Sequence, residues 1–492
     1  MPSIQARFAR TDRAVRVLQY GEGNFLRGFA DDMIDRANES GLFNGNIVIA
    51  KAIPVGTLKA FREQDCLYTV RLRGYKNGEA AVENRVIASI ADVVDAYGEY
   101  AHYAKFATLD TLRVIVSNTT EAGIVYSETD ELSMCPPASF PGKLTKFLYE
   151  RAERFAYAPD KGLIVLPVEL IENNGKALLS CVIRLAERWE LGGKFLRWLN
   201  ESCVFASTLV DRIVSGFPRD EAECLWAEWG YEDRLIVTGE MFAQWVIESP
   251  KDISAEFPLA EAGLPVIWTH DLRPYQQRKV RVLNGAHTAA SLAGFLCGHN
   301  TVSELMNDTV MRSFIQNTLW NEVIPTLSAP QGELSAFAAA VLERFANPFM
   351  GHSLLAIALN SVSKWRARCM PSLLDYVQAT GKIPVHLAFS LAALMAFYTS
   401  DRLEDGALIS DRSGEAYRVV DEEDVLLFFT QIHKLPFKDY AYECLGNTRF
   451  WGQDLTKQPG LAESVAKALD NIRMHGMKTA LKNCLEGGGF RG

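Results

Sequence analysis

Three side chains in the stretch YQQRKVRVLNGAHTAAS carry groups that can act together on a carbonyl oxygen. Lys279 has an amine, Asn284 an amide and His287 an imidazole. On a helix, Asn284 and His287 are three residues apart and share a face. The long side chain of Lys279 can reach the same point from the preceding turns. Together, these groups can hydrogen-bond a carbonyl oxygen and supply a proton to it.

The same stretch also fits a purely structural interpretation. A lysine is a useful acid or base near neutral pH only if its pKa falls from about 10.4, through desolvation or nearby cations. Arg278 and Arg281 are its neighbours in sequence. The spacing alone favours a basic, solvated helix start followed by a helix with one core histidine. The surrounding elements must decide between the two interpretations.

A second stretch, RVLQYGEGNFLRGF, is typical of a strand that ends in a nucleotide-binding turn. Gly21 and Gly23 match the first two glycines of G-x-G-x-x-G, which make a tight turn and let backbone N–H groups approach a pyrophosphate. Leu26 occupies the third position. An ordinary strand–turn–helix connection explains these residues equally well.

Composition limits the kinds of partner. The chain has 492 residues, enough for two or three domains, and its net charge of −9 argues against nucleic acid or an anionic membrane as a partner. A small anionic substrate needs only one local cationic pocket. The sequence has neither a signal peptide nor a membrane-spanning run, which predicts a cytoplasmic protein. The nine cysteines and eight histidines form no C-x-x-C or H-E-x-x-H motif, so we expect no metal site.

The first half of the chain alternates strand-like and helix-like segments, as wound parallel sheets do. The fold class predicted is α/β, with an N-terminal Rossmann-type wound sheet, a β-rich insertion and a mostly α-helical C-terminal domain. The insertion is expected over residues 66–95, with antiparallel strands joined at KNGE. The other predicted elements are strands at 15–20, 46–53, 112–118 and 162–170 and a helix at 24–40.

From about Tyr275 onward, helical periodicity predominates. We expect helices at 333–346, 386–398 and 459–481, the second of them buried nearly all round, and a frayed tail GGGFRG. The predicted domains are 1–274, a Rossmann-type dinucleotide-binding domain, and 275–492, an α-helical substrate and catalytic domain.

The pattern K-x-x-x-x-N-x-x-H after a G-x-G-x-x-x-R turn resembles the mannitol dehydrogenase family of polyol-specific long-chain dehydrogenases. The resemblance covers residues 15 to about 482, through the motifs QYGEGNFLRGF, SNTTEAGIVY, LPVELIENNG, STLVDRIVSGFPRDE, RKVRVLNGAHTA and WGQDLTKQPGL. It implies an N-terminal Rossmann-type domain that binds NAD(H), a mostly α-helical C-terminal domain, and an active site between them.

The resemblance also implies a reaction, because the motifs are most similar to those of family members that act on the sugar acid tagaturonate. In that metal-independent reaction Lys279 is the general acid/base, and Asn284 and His287 hold the reacting oxygen. NADH would reduce the ketone of tagaturonate to give altronate. Alternative substrates are fructuronate, mannonate or a hexitol, and another class is a non-catalytic NAD-binding protein. The intact Lys279, Asn284 and His287 argue against that last class.

Cofactor contacts are likewise implied by the resemblance. Family members carry an arginine in this turn, so Arg27 is expected to place a cation near the phosphates. Glu121 fits a functional and a structural role equally. The second strand ends in Ala50, Lys51 and Ala52 rather than an acidic residue, so the sequence permits NADP while the resemblance favours NAD. The expected cofactor-binding residues are Gly21, Gly23, Asn24, Phe25, Arg27, Ser117, Asn118, Thr119 and Thr120.

A sugar acid also requires a cation for its carboxylate. In SKWRARCMPSLL we rank Lys364 and Arg368 above Arg366. Asp211 is expected either to orient Lys279 or to pair with Arg212 or another cation. Two features differ from those of mannitol-type members. Glu169-Leu170 replaces their D-N pair, so the amide that helps them bind the reacting oxygen is missing. Gln276 replaces a glutamate, so the sequence does not define how the proton reaches bulk water. The expected substrate-binding residues are Lys364, Arg368, Asp211 and Glu169.

Overall fold

Continuous apolar runs in the first half of the chain form the strands of a parallel sheet. The computed structural model describes residues 1–76, 79–119, 123–349 and 351–487, and the chain divides into two compact units, Met1–Leu272 and Arg273–Gly492. The strands of the first unit are β1 (Val15–Tyr20), β2 (Asn46–Lys51), β3 (Tyr68–Lys76), β4 (Glu79–Ile87), β5 (Ile90–Asp95), β6 (Val114–Ser117), β7 (Ile164–Pro167), β8 (Val204–Phe205), β9 (Ser207–Asp211), β10 (Val214–Gly216), β11 (Val237–Glu240), β12 (Gln244–Glu248) and β13 (Val266–Thr269).

The main sheet has the order β5-β2-β1-β6-β7-β8, and every neighbouring pair in it is parallel. This is the wound order of Rossmann folds, in which the chain runs outward in opposite directions from two central strands. Here the central strands are β1 and β6. Ligands of such sheets bind outside the carboxyl ends of those strands. The predicted Rossmann-type sheet is confirmed.

The sheet separates two apolar cores. Val17 of β1 lies in one core, while Leu18 of the same strand lies in the other, as the twofold alternation of a strand requires. Helices cover both faces, so the central strands are buried on both sides. The helices of this unit are α1 (Asn24–Arg27), α2 (Ala30–Glu39), α3 (Lys59–Glu63), α4 (Tyr100–Lys105), α5 (Phe140–Arg154), α6 (Asn174–Arg188), α7 (Gly192–Ser202) and α8 (Ala222–Trp229).

The predicted β-rich insertion is present but shorter than expected. Strands β3 and β4 pair antiparallel, with Lys76 opposite Glu79, and belong to a sheet of order β10-β11-β3-β4. The tip of the KNGE turn lies outside the described residues. Strand β5, assigned to the insertion from the sequence, instead pairs parallel with β2 as an edge of the main sheet. Because only Ala88 and Ser89 separate β4 from β5, the sequence gives no turn signal that would divide them.

The helix predicted at 24–40 is interrupted. Helix α1 ends at Gly28, and α2 begins after Phe29. A Cβ atom at Gly28 would lie 3.0 Å from a methyl of Val237 and 3.1 Å from one of Val214. The close approach of these valines explains why the chain has glycine where the helix breaks.

The second unit is mainly helical, as predicted. Its helical segments are α9 (Arg273–Arg278), π1 (Lys279–Asn284), α10 (Gly285–Leu296), α11 (Val302–Asn307), α12 (Thr309–Asn317), π2 (Thr318–Val323), α13 (Gln331–Phe345), α14 (Leu354–Ile357), α15 (Ser361–Arg368), α16 (Met370–Thr380), α17 (Val385–Phe397), α18 (Glu423–Ile432), α19 (Phe437–Gly446), α20 (Thr448–Trp451), α21 (Leu461–His475) and α22 (Met477–Glu486). Segments π1 and π2 are π-helical. Helix α17 is buried along nearly its whole length, which confirms that expectation.

Two features of this unit differ from the prediction. The single late helix expected at 459–481 is two helices, α21 and α22, because Gly476 between them has φ of +75°. A small antiparallel sheet, not predicted, consists of β14 (Arg402–Glu404), β15 (Ala407–Arg412) and β16 (Glu415–Val419). Residues 488–492, most of the predicted frayed tail, lie outside the described residues.

All nine cysteines lie within the described residues, and all are free thiols. Cys135 and Cys224 are exposed, whereas five others are buried. Burial raises the pKa of the Cys66, Cys203, Cys369 and Cys484 thiols to about 12. The sequence prediction of scattered thiols rather than a disulfide framework is consistent with this arrangement.

Candidate active site

The turn after β1 requires glycine at its first position. Gly21 has φ of +116°, and a Cβ atom there would lie 2.9 Å from the backbone oxygen of Asn118. Its N–H donates to the oxygen of Ala50 at 3.0 Å, which ties the turn to β2. Gly23 begins α1, and nothing lies within 4 Å of a Cβ built on it. The backbone at Gly23 is therefore open to a ligand, as a dinucleotide turn requires.

The side chain of Arg27 is held by hydrogen bonds to protein groups around this turn. Its buried guanidinium donates to the oxygen of Leu235 at 2.5 Å and to Asn24 Oδ1 at 2.6 Å. It also lies over the ring of Tyr68, 5.3 Å from the centroid. Phe25 stacks on Phe29 with ring centroids 5.1 Å apart. These contacts fix the helix that follows the two glycines.

A buried carboxylate organises the loop after β6. Glu169 accepts hydrogen bonds from Ser117 Oγ at 3.1 Å and from both the N–H and the hydroxyl of Thr119 at 3.0 Å. Burial raises the pKa of Glu169, against the effect of these hydrogen bonds. Asn118 continues the loop and donates its N–H to Tyr20. Thr120 and Glu121 lie outside the described residues. Glu169 therefore holds the loop in which the cofactor contacts are expected.

The amide of Asn174 is fully used within the fold. Its Nδ2 donates to the oxygens of Pro167, Glu169 and Thr208 at 3.0 to 3.1 Å. Its Oδ1 accepts from the N–H groups of Gly175 and Thr208. This asparagine thus connects the ends of β7 and β9. Its contacts give it a structural role.

Strand β9 ends at Asp211, and Arg212 follows it. Asp211 is buried and lies opposite Gln244 in the ladder. Arg212 forms an ion pair with Asp32 at 2.9 Å and donates to the oxygen of Gly28 at 2.7 Å. The carboxylate of Asp32 therefore neutralises the charge of Arg212.

In the second unit, Lys279 and Asn284 are the first and last residues of π1. In an α-helix, residues five apart point about 140° away from each other. In a π-helix the backbone hydrogen bonds join residues five apart, so such residues lie roughly one above the other. The π-helical turn therefore brings the Lys279 and Asn284 side chains to one side of the helix. His287 follows in α10, one turn further along.

The imidazole of His287 is enclosed but retains an unused nitrogen. Its ring stacks on Phe345, with centroids 3.8 Å apart and planes 9° from parallel, and meets His352 edge-on at 5.8 Å. Among the described residues, no hydrogen-bond partner reaches the buried Nε2. Burial, together with His352 and the charges of Arg344 and Arg368, lowers the pKa of His287 well below its ordinary value. The ring is therefore neutral at pH 7, with one nitrogen available to a ligand oxygen.

Several cations lie in the same part of the second unit. Arg368 is half-buried, donates to Thr288 Oγ1 at 3.3 Å and has a pKa lowered by burial. Burial, followed by the charge of Arg368, lowers the pKa of Lys364, which donates to the oxygen of Ile357 at 2.9 Å. Arg366 is exposed and lies against Gly452. The charge of Arg368 is one of those that lower the pKa of His287, so these two side chains lie near each other.

Arg344 and His352 also lie near His287, although the sequence did not predict them there. Arg344 ends the long helix α13 and is buried, although a charged residue in that position usually faces solvent. His352 follows in the segment FANPFMGHS, whose sequence shows no periodicity. The only available signal was the break from helix to proline-containing loop, since loops often carry functional residues.

Within the described ranges, no cluster of His, Cys, Asp or Glu side chains could hold a metal ion. The helices of that part of the chain include none that is both long and apolar enough to cross a membrane.

Two family models match the chain over nearly all of its length. The mannitol dehydrogenase Rossmann domain matches residues 15–260, and the mannitol dehydrogenase C-terminal domain matches residues 271–473. The protein belongs to the mannitol dehydrogenase family.

Individual relatives sharpen this assignment. The chain is 43% identical to the altronate oxidoreductase of Yersinia enterocolitica serotype O:8 over 473 residues, which cover 95% of this chain and 96% of that one. A crystal structure of D-sorbitol dehydrogenase in substrate-free form has a TM-score of 0.78 at 22% identity, covering 95% of each chain. The Pseudomonas fluorescens mannitol 2-dehydrogenase ternary complex with NAD and D-mannitol has a TM-score of 0.68 at 21% identity, covering 96% and 95%. At these identities, the two solved structures establish the fold.

Proposed function

We propose that this protein is an NAD(H)-dependent oxidoreductase that interconverts tagaturonate and altronate. The observation that carries the proposal is the π-helical turn, which brings Lys279 and Asn284 to one side of a helix one turn before the enclosed imidazole of His287. The similarity to altronate oxidoreductases over 95% of the chain supports this substrate among those that the family uses.

The residues of the first unit fit a dinucleotide. A Cβ atom would clash at Gly21, while the space above Gly23 is open, so the turn can accept a pyrophosphate against its backbone. We propose Gly21, Gly23 and the loop Ser117–Thr119 as the groups that hold NAD(H), together with Asn24 and Phe25. Arg27 stabilises the turn and adds positive charge beside it. When bound, NADH supplies the hydride that reduces the ketone.

Residues of the second unit handle the proton. In the direction of reduction, the Lys279 ammonium gives a proton to the ketone oxygen as negative charge develops there. The Asn284 amide and the neutral His287 ring hydrogen-bond the same oxygen, and such preorganised donors stabilise that charge. In the direction of oxidation, neutral Lys279 accepts the hydroxyl proton. Each proton transfer uses a protein group, and the proposed reaction needs no metal ion.

The substrate carboxylate would be bound by cations of the second unit. We propose Arg368 as its main partner, since a guanidinium matches a carboxylate in shape and Arg368 lies near His287. Lys364 is the second candidate. In the first unit, Glu169 would act by holding the loop after β6.

We further propose that residues 1–274 bind the cofactor and residues 275–492 the substrate. The protein would act in the cytoplasm on a small sugar acid, with neither nucleic acid nor membrane as a partner. The net charge of −9 supports the exclusion of polyanionic partners.

The test is an assay of reduced cofactor consumption with tagaturonate, fructuronate and fructose at equal concentrations. Fast NADH oxidation with tagaturonate is the expected result, and a chelator should leave the rate unchanged. A preference for fructose would contradict the carboxylate site. Binding of NADH without turnover of any of the three would indicate a non-catalytic protein.

A further inference from the structure

A cavity of about 440 Å³ opens where β2 and β5 end, in the first unit. Its lining includes Gly56, Arg62 and Asp95. In Rossmann folds, an acidic residue after the second strand holds the ribose hydroxyls of the adenosine half of NAD. Strand β2 ends instead in Lys51, a residue type better suited to the 2′-phosphate of NADP. The structure shows what becomes of that lysine.

Lys51 is turned inward and neutralised. Only 3% of its side chain is exposed, its Nζ lies 2.8 Å from Asp95 Oδ2, and it donates to the oxygen of Gly56 at 3.3 Å. Asp95 ends β5, the strand next to β2, and 27% of its side chain is exposed. The neighbouring strand therefore supplies the carboxylate that β2 lacks, and Lys51 holds it in place.

The other cations near this cavity are also paired. Lys59 lies 3.5 Å from Glu63, and Arg62 forms an ion pair with Glu99. Glu22, between the two glycines of the β1 turn, has an oxygen 3.9 Å from a Cβ position built on Gly56. Among the described residues named here, three cations (Lys51, Lys59 and Arg62) thus face four carboxylates (Glu22, Glu63, Asp95 and Glu99).

From this arrangement we infer that Asp95, anchored by Lys51, receives the ribose hydroxyls of NAD(H) and selects NADH against NADPH. The inference rests on the proposed function, which requires a dinucleotide at this sheet. Asp95 Oδ2 pairs with Lys51 and Oδ1 accepts the N–H of Tyr97 at 3.0 Å, and a ribose diol can donate hydrogen bonds to the remaining lone pairs of these two oxygens. A 2′-phosphate would be repelled by that negative charge. Lys51, Lys59 and Arg62 are each already paired with a carboxylate. Ile53 and Val55, exposed in the loop after β2, give an adenine ring apolar surface to cover.

The test measures dinucleotide binding by the free enzyme, without sugar acid. Nucleotide fluorescence is titrated separately with NADH and NADPH. The wild-type protein should bind NADH roughly 10- to 100-fold more tightly, the range expected for hydrogen bonds to a charged group. In Asp95→Asn the ratio should fall to near one, because NADH loses a charged acceptor and NADPH gains the released Lys51.

A matched control is Asp92→Asn, which removes the same charge from the same strand. Asp92 pairs with His102 outside the cavity lining, so the NADH to NADPH ratio should not change. Thermal melting establishes that each variant is folded. An unchanged ratio in folded Asp95→Asn would overturn the inference.

Lys51→Met provides a second variant, which decides the matter even if Asp95→Asn does not fold. It leaves Asp95 charged, so the preference for NADH over NADPH should persist, while NADH itself should bind more weakly because Asp95 has lost its anchor. If Lys51 instead binds a 2′-phosphate, the wild type would prefer NADPH and this variant would lose that preference, which would overturn the inference. Equal binding of both cofactors by the wild type would overturn the inference while leaving the proposed reaction intact. Binding of neither would overturn both.

Discussion

The two units build their parts of the chemistry in different ways. In the first unit, the groups expected to meet the cofactor are mainly backbone positions, fixed by a glycine whose φ of +116° other residues rarely adopt and by the buried carboxylate of Glu169. In the second unit they are side chains of consecutive helical segments, Lys279, Asn284 and His287, arranged by a local change of helix type. A nucleotide can be held by main-chain groups, whereas proton transfer needs titratable side chains at defined positions.

This difference predicts separable defects. Changes in the first unit should alter cofactor affinity, and changes in the second should alter turnover or substrate affinity. The largest effect should come from Lys279→Ala, which removes the proposed acid. Turnover should fall by roughly two to four orders of magnitude, as loss of a general acid does, with the affinity for NADH unchanged.

Steady-state kinetics and NADH titration of the same preparation measure both quantities. Lys434→Ala is the control, since Lys434 is an exposed lysine of the same unit that pairs with Asp401. If folded Lys279→Ala turned over at a near-normal rate, Lys279 would not be the acid.

The second prediction concerns the opposite unit. Gly21→Ala puts a side chain at φ of +116° and 2.9 Å from the Asn118 oxygen, a backbone conformation that costs about 1 to 3 kcal/mol in other residues. Both the affinity for NADH and the melting temperature should fall. Gly23→Ala has open space, so it should lower affinity alone. Gly193→Ala, also in open space, is the control for both quantities. Equal affinities in all three variants would refute a cofactor at this turn.

The third prediction tests the carboxylate site. Arg368→Gln should raise KM for tagaturonate roughly tenfold or more, the usual consequence of losing a charged hydrogen bond, while NADH affinity stays constant. Arg366→Gln, an exposed position on the same helix, is the matched control and should keep the wild-type KM. If Arg366→Gln gave the larger increase, our ranking of these cations would be wrong.

The smallest effect is a pH dependence confined to the second unit. The pKa of His287 is lowered in the folded protein, so the unfolded chain binds a proton there below about pH 6.5 and the folded chain does not. The free energy of unfolding should therefore fall as the pH drops through that value, by up to about 1.4 kcal/mol per pH unit. His287→Asn should show a shallower decline in melting experiments between pH 7.5 and 5.5. The same slope in both proteins would contradict the buried neutral ring.

Much of the first unit was predictable because its signals are local. The apolar runs of β1, β6 and β7, closed by polar or glycine residues, are sufficient to predict strands of a wound sheet. Strand β5 was misassigned because pairing partners are decided by the whole sheet. The split between α1 and α2 depends on Val214 and Val237, residues far away in sequence.

The candidate site of the second unit was predictable in composition and not in geometry. The resemblance to the family supplied its proposed residues, because spacing alone favoured a structural interpretation, and a π-helical turn has no periodicity that so short a segment could reveal. Arg344 and His352 were missed because their closeness to His287 depends on how α10, α13 and the following loop pack together. The break at Gly476 had a local signal, since glycine often ends a helix.

The scattered thiols provide a way to observe the two units separately. Cys66 and Cys203 are buried in the first unit, and Cys369, Cys444 and Cys484 in the second. A thiol-specific reagent with a mass tag should label Cys135 and Cys224 first, because those two are exposed. Pulses applied at increasing denaturant, followed by peptide mapping, would then report when each core opens. The natural sequence thus carries its own set of unfolding probes, with no engineered label needed.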